Sequence, residues 1–156
     1  MKIVIIQLGK TDKDYLKEGL SDYYSRIRKI LPLEVNTVNE LKNTGSNPGI
    51  IKKQEEREIL KYVKQGDFLV LMDERGQRMN SRSFAAFIQK SMNRGPRRIL
   101  FVIGGAWGTG DEIKKKADKL ISLSDMTFSH QLVRLLLAEQ LYRALTIIKG
   151  IPYHHD

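Results

Sequence analysis

The residues able to move or steady a proton gather in the last third of the chain. His130 precedes a long apolar run, Glu139 and Arg143 stand four apart, and Pro152 is followed by Tyr153, His154 and His155. Imidazole is the side chain that titrates near neutral pH unaided. A guanidinium steadies an oxyanion or grips a phosphate. A spacing of four puts Glu139 and Arg143 on one helix face, where the ordinary outcome is a local ion pair worth about 0.3–0.5 kcal/mol. Arg134 and Arg143, nine residues apart, point to opposite sides of a helix, so one of them has work other than pairing with Glu139. Adjacent histidines near a terminus are more often a frayed, solvated end than a site. With no cysteine in the chain, a thiol nucleophile, a disulfide framework and a Cys-ligated zinc are excluded, and no metal site is expected.

A second stretch, FVIGGAWGTG (Phe101–Gly110), follows an apolar run with glycines. It fits neither common phosphate motif. A dinucleotide fingerprint needs glycines at i, i+2 and i+5, a spacing that neither Gly104 nor Gly108 begins. A P-loop would place Lys and Ser or Thr where Asp111 and Glu112 stand. The loop therefore suits tight packing, or close backbone approach to a ligand without phosphate. A third stretch, LSDMTFSHQLVR (Leu123–Arg134), combines apolar side chains with free backbone groups. Such a loop can hold a flat heterocycle and read its edge.

These stretches need a scaffold. The pattern predicts strands at Lys2–Leu8, Leu33–Val38, Asp67–Met72, Arg97–Ile103 and Leu120–Leu123. It predicts helices at Asp12–Lys29, Ile50–Lys64, Ser81–Asn93, Asp111–Asp118 and His130–Lys149. Asn39–Gly49 reads as a polar loop and Asp73–Gly76 as a turn. Strands alternating with helices imply an α/β fold, a mostly parallel sheet with helices on both faces. Strands without polar alternation agree, being covered on both sides. Ligands of such sheets sit at the carboxyl ends of the strands, which points to Met72, Gly104–Gly105 and Leu123–Phe128. The last helix is apolar nearly all round, which places it in the core or a subunit interface; Leu135 and Leu141 are its expected dimer contacts.

The 156 residues fit one domain. Lys and Arg number 27 against 18 Asp and Glu, a net charge of +9. From residue 79 onward 12 basic residues face 6 acidic ones. That excess favours a polyanion, nucleic acid before membrane. Arg75, Arg78, Arg82, Arg94, Arg97 and Arg98 are the candidates for gripping it. With no signal segment and no apolar run of about 18 residues, the expected location is the cytoplasm, without membrane contact.

Seven motifs occur in order along the chain. They are the opening strand with Gly9, Met72-Asp73-x-x-Gly76, Ile103-Gly104-Gly105-x-x-Gly108, Leu123-Ser124-x-x-Thr127, His130-x-x-Val133-Arg134, Glu139-x-x-Tyr142-Arg143-Ala144 and Pro152-Tyr153-His154. Together, over the whole length, they resemble the SPOUT class of RNA methyltransferases, and within it the small enzymes that act on a pseudouridine of the large ribosomal subunit. The resemblance implies a C-terminal trefoil knot within about residues 100–150, an exception to the rule against threading. It also implies a homodimer, S-adenosylmethionine as methyl donor, and methylation at N3 of a pseudouridine in the 23S rRNA of the ribosome. Carried over by position, the cofactor contacts are Met72, Gly104, Gly105, Gly108, Leu123, Ser124, Asp125, Met126, Thr127 and Phe128. The expected catalytic group is His154 as base, Tyr153 on the target base, Arg143 on developing charge and His130 orienting either partner. A SPOUT enzyme for another RNA such as tRNA, or a non-catalytic RNA-binding module, are the competing readings. Ser129 stands where the family often has proline, and Met72 where it often has leucine. Trp107 has no assigned role.

Overall fold

A computed structural model describes residues 1–41 and 47–156. Five parallel strands form one sheet: β1 (Lys2–Leu8), β2 (Leu33–Val38), β3 (Phe68–Arg78), β4 (Arg98–Ile103) and β5 (Lys119–Ser122), in the order β2-β1-β4-β3-β5. The helices are α1 (Asp14–Arg28), α2 (Pro48–Leu60), α3 (Ser81–Asn93), α4 (Asp111–Lys116) and α5 (His130–Lys149).

Successive residues of a strand point to opposite faces, and Ile3–Ile6 of β1 and Ile99–Ile103 of β4 are apolar on both. Ile3 and Ile5 of β1, with Ile99 and Phe101 of β4, pack under α1, α3 and α5 against Ile27, Ile88, Leu137 and Leu141. Val4, Ile6 and Leu8, with Leu100 and Val102, pack under α2 and α4 against Ile59 and Ile113. The expected doubly covered sheet is thus present, in three layers.

Several boundaries shift by one to four residues from the sequence reading, and two differences bear on the site. Helix α2 starts at Pro48, where Asn47 caps it by accepting from the Gly49 amide at 2.6 Å; it therefore enters the stretch read as loop, of which residues 42–46 lie outside the described residues. The predicted turn Asp73–Gly76 lies inside β3, which runs on to Arg78. Met72 and Gln77 both pair with Ile121, so the residues between them bulge out. The Arg75 amide donates to Asp73 Oδ1 at 2.8 Å within that bulge. A side chain at Gly76 would stand 2.5 Å from the Ile121 nitrogen, so only glycine lets β5 pass there. The turn signal was real chemistry embedded in a longer strand.

The apolar α5 is largely accounted for within the chain. Leu141 is fully buried in the core, and Leu135 lies against Gly19 of α1. Leu141 is therefore no surface contact, which corrects the expectation of a dimer contact there, whereas Leu135 is half-buried within the chain.

Candidate active site

The ends of β3, β4 and β5 open onto one cavity of about 670 Å³. Met72, Ile103, Ile121, Leu123, Phe128 and Val133 give it apolar walls, and the Gly104–Thr109 and Ser122–Ser129 loops give it backbone. Each loop is shaped by its own sequence. The Gly108 amide donates to the Gly105 carbonyl at 3.0 Å, closing a tight turn, and Gly108 holds φ +78°, the left-handed region. A Cβ on Gly104 would lie 3.0 Å from the Gly108 carbonyl carbon. In the second loop Ser122 Oγ donates to the Ser124 carbonyl at 2.8 Å, and the Met126 amide donates to Ser124 Oγ at 2.9 Å. Ser129 then caps α5 by accepting from the Leu132 amide at 3.2 Å, so serine serves where the family's proline would.

Of the expected cofactor contacts, Met72, Gly104, Gly105, Gly108, Leu123, Ser124, Met126, Thr127 and Phe128 all line this cavity, as does His130. Asp125 does not; it turns outward into an ion pair with Arg78. The cavity size lies in the range of small-molecule sites, and its mix of apolar walls and free backbone suits an adenosine without phosphate.

The other expected catalytic residues gather elsewhere, around Glu139. Arg143 Nε donates to Glu139 Oε1 at 3.0 Å, Tyr153 Oη donates to the same oxygen at 3.2 Å, and Gln140 donates to Oε2 at 2.7 Å. His154 Nδ1 is 3.1 Å from an Arg143 nitrogen, and its Nε2 is 2.9 Å from Asp156 Oδ1. A guanidinium only donates, so Nδ1 accepts and the proton sits on Nε2, facing Asp156. Asp156 also accepts from Arg82 Nε at 2.7 Å. The tail is therefore anchored, against the expectation of a frayed end. Burial, then the Tyr23 and Glu139 contacts, push the Tyr153 phenol well above its ordinary value, so it stays a donor. Glu139 raises the Arg143 value further. Arg82 and His154 pull the Asp156 carboxyl down to about 2. Thirteen residues separate His130 from Arg143, roughly 20 Å of helix, and no tail residue lines the cavity.

Arg134 answers the question its spacing raised. It is wholly buried and donates to the carbonyls of Leu8 and Gly9 and to Thr11 Oγ1, the last at 3.0 Å. It fastens α5 to the end of β1. Among the proposed RNA contacts, Arg98 is committed to Asp67 with its side chain 13% exposed, and Arg78 and Arg82 are in surface ion pairs. Arg94 lies over the Phe68 ring. Arg75 lines the cavity, and Arg97 is exposed.

Two residues beneath the glycine loop escaped the sequence reading. Glu55 and Glu56 of α2 are both buried. Glu56 accepts from the Ile113 amide at 3.0 Å and sits directly under Gly110. Burial, and Glu40 nearby, push the Glu55 carboxyl up. In sequence both belong to a charged helix face, and nothing in their spacing marks them as inward.

The fold has counterparts among α/β methyltransferases of known structure. Solved structures with the same architecture include a probable methyltransferase from Bordetella pertussis (TM-score 0.56, 13% identity, covering 92% of this chain and 94% of that one). A tRNA methyltransferase from Aquifex aeolicus aligns with TM-score 0.58 at 17% identity, over 100% of this chain and 76% of that one. The family model described as predicted SPOUT methyltransferase matches residues 1–154, and the chain belongs to that family. Among its relatives is the ribosomal RNA large subunit methyltransferase H of Parabacteroides distasonis, 42% identical over all of both chains. The protein of the same name from Christiangramia forsetii is 47% identical over 99% of each.

Proposed function

We propose that the protein methylates the 23S rRNA of the large ribosomal subunit, at N3 of a pseudouridine, with S-adenosylmethionine as donor. The observation that carries this reading is full-length identity above 40% to relatives with a large-subunit rRNA methyltransferase name, in a chain whose glycine and Met–Phe loops meet at one cavity. When bound, S-adenosylmethionine supplies an electrophilic methyl group on a sulfonium. Met72, Ile103, Leu123 and Phe128 would hold its adenosine in apolar contact, with the Gly104–Gly105 and Leu123–Phe128 backbones reading the edge.

N3 of pseudouridine lies between two carbonyls and carries a proton that must leave. His154 Nδ1, which accepts from Arg143 in this arrangement, would exchange that bond for the N3 proton to act as the base. Arg143 offers a permanent cation for the developing negative charge on a carbonyl oxygen, and Tyr153, held as a neutral phenol, donates a hydrogen bond. Glu139 positions both. Since tail and cavity are apart in one chain, a homodimer is the arrangement by which the tail of one copy meets the cavity of another. The C-terminal path would carry the family's knot. The cytoplasm is the location where such a substrate is met, and no described helix is long and apolar enough to cross a membrane.

The test is transfer of labelled methyl from S-adenosylmethionine to ribosomes lacking the modification, with free tRNA alongside. Label mapped to N3 of a 23S pseudouridine is the expected result. Label in tRNA, or in neither RNA, overturns the substrate assignment.

A further inference from the structure

Trp107 sits at the tip of the tight turn closed by the Gly108 amide and the Gly105 carbonyl. Its side chain lines the cavity, yet the residue is 53% exposed. Among the described residues it stacks on no other ring and lies under no cation. Met126, 76% exposed, belongs to the opposite loop and lines the same cavity. An exposed indole contributes little to the fold, and here it is mounted on a stiff support. Gly104 and Gly105 are buried, and Glu56 props the following helix turn from below.

Cations also line the cavity. Lys52 is half-buried, is in no ion pair among the described residues, and also borders a neighbouring groove of mixed charge with Lys53, Arg57, Glu56, Asp111 and Glu112, while Asp73 and Glu74 share the cavity lining. Arg75 projects from the β3 bulge. An aromatic face flanked by cations is the arrangement that binds a single nucleic-acid strand, base on ring and phosphates on cations.

We propose that Trp107 is a stacking platform for an unpaired nucleobase of the RNA substrate, with Lys52 and Arg75 holding its flanking phosphates. This rests on the reading of the cavity as the cofactor site of an RNA methyltransferase. The cavity's own walls already offer Met72, Leu123 and Phe128 to an adenine, which leaves the exposed indole for the second substrate.

Trp107 is the one tryptophan of the chain, so tryptophan fluorescence reports the surroundings of this side chain alone. The probes are S-adenosylhomocysteine, a single-stranded oligoribonucleotide of about 12 nucleotides, within the site sizes such surfaces take, and an abasic strand of equal charge. The expected result is quenching by the RNA, with little from S-adenosylhomocysteine or from the abasic strand, although anisotropy reports that both strands bind. With ribosomes as substrate, Trp107→Ala raises KM for ribosomes by about tenfold. Trp107→Phe restores most of it, and the Kd for S-adenosylhomocysteine by calorimetry is unchanged in both. Full quenching by S-adenosylhomocysteine, a matching loss of its affinity in Trp107→Ala, or RNA binding without quenching overturns the proposal. If the wild-type protein fails to methylate ribosomes, the functional reading falls, and the quenching experiment still decides the role of Trp107.

Discussion

The cavity and the tail cluster are built on opposite principles. The cavity joins loops from three strands and leaves its backbone groups and apolar walls open to a guest. Around Glu139 nearly every polar group is already spoken for: Arg143, Tyr153 and Gln140 converge on one carboxylate, and His154 bridges Arg143 and Asp156. The open region is preorganised for binding, whereas the closed one is preorganised in protonation state, with a neutral phenol, a fixed cation and one defined imidazole tautomer. The helix α5 carries both, since its first residue lines the cavity and its middle holds the cluster.

Arg134→Leu should break both regions together. It leaves the Leu8 and Gly9 carbonyls without their buried donor, a loss of about 1–3 kcal/mol for each. Calorimetry should find Tm lower by about 10 °C; an unchanged Tm would mean that α5 is held by packing alone. Gly104→Val should damage the cavity only. Its side chain meets the Gly108 backbone and Thr109, and affinity for S-adenosylhomocysteine should fall by about 100-fold with little change in Tm.

Glu139→Ala should damage the tail cluster only. Turnover at saturating cofactor should drop at least about tenfold while the Kd for S-adenosylhomocysteine stays within about twofold, the pattern of a group acting in the transition state. A parallel loss of cofactor affinity would merge the two regions into one site. The smallest effect is expected beneath the glycine loop. Glu55 has a raised pKa in the fold, so its contribution is fully present below about pH 4.3 and is lost as pH rises through the raised value. Glu55→Gln should match the wild type near pH 4 and melt higher near pH 7.5; equal curves at both pH values refute the assignment.

The sheet was legible because β1 and β4 carry unbroken apolar runs, Ile3–Ile6 and Ile99–Ile103, the pattern of a doubly covered strand. Helix α5 was legible to the residue from its apolar run, and the structure adds the reason for its ends, a Ser129 cap and a left-handed Gly150. The cavity loops were legible from glycine spacing and from the failure of both phosphate motifs. The bulge at Asp73–Gly76 was not, because a turn-rich tetrapeptide reads the same whether a strand ends or merely buckles. Nor was the anchoring of the tail. Asp156 meets Arg82, 74 positions away, and no local pattern encodes such a pair. The outward turn of Asp125 has the same cause, since its partner Arg78 is 47 positions distant.

The clamp of Arg134 on the Leu8 carbonyl joins residues 126 positions apart. During synthesis at ~5–20 residues per second, the end of the first strand therefore waits roughly 6–25 s for its last partner to be made. Until then two carbonyls at the end of β1 stay in water, and long-range closure of this kind is slow even after release. A growing chain of this protein would be a scaffold without a finished pocket, and competence to bind its cofactor would arrive late and all at once.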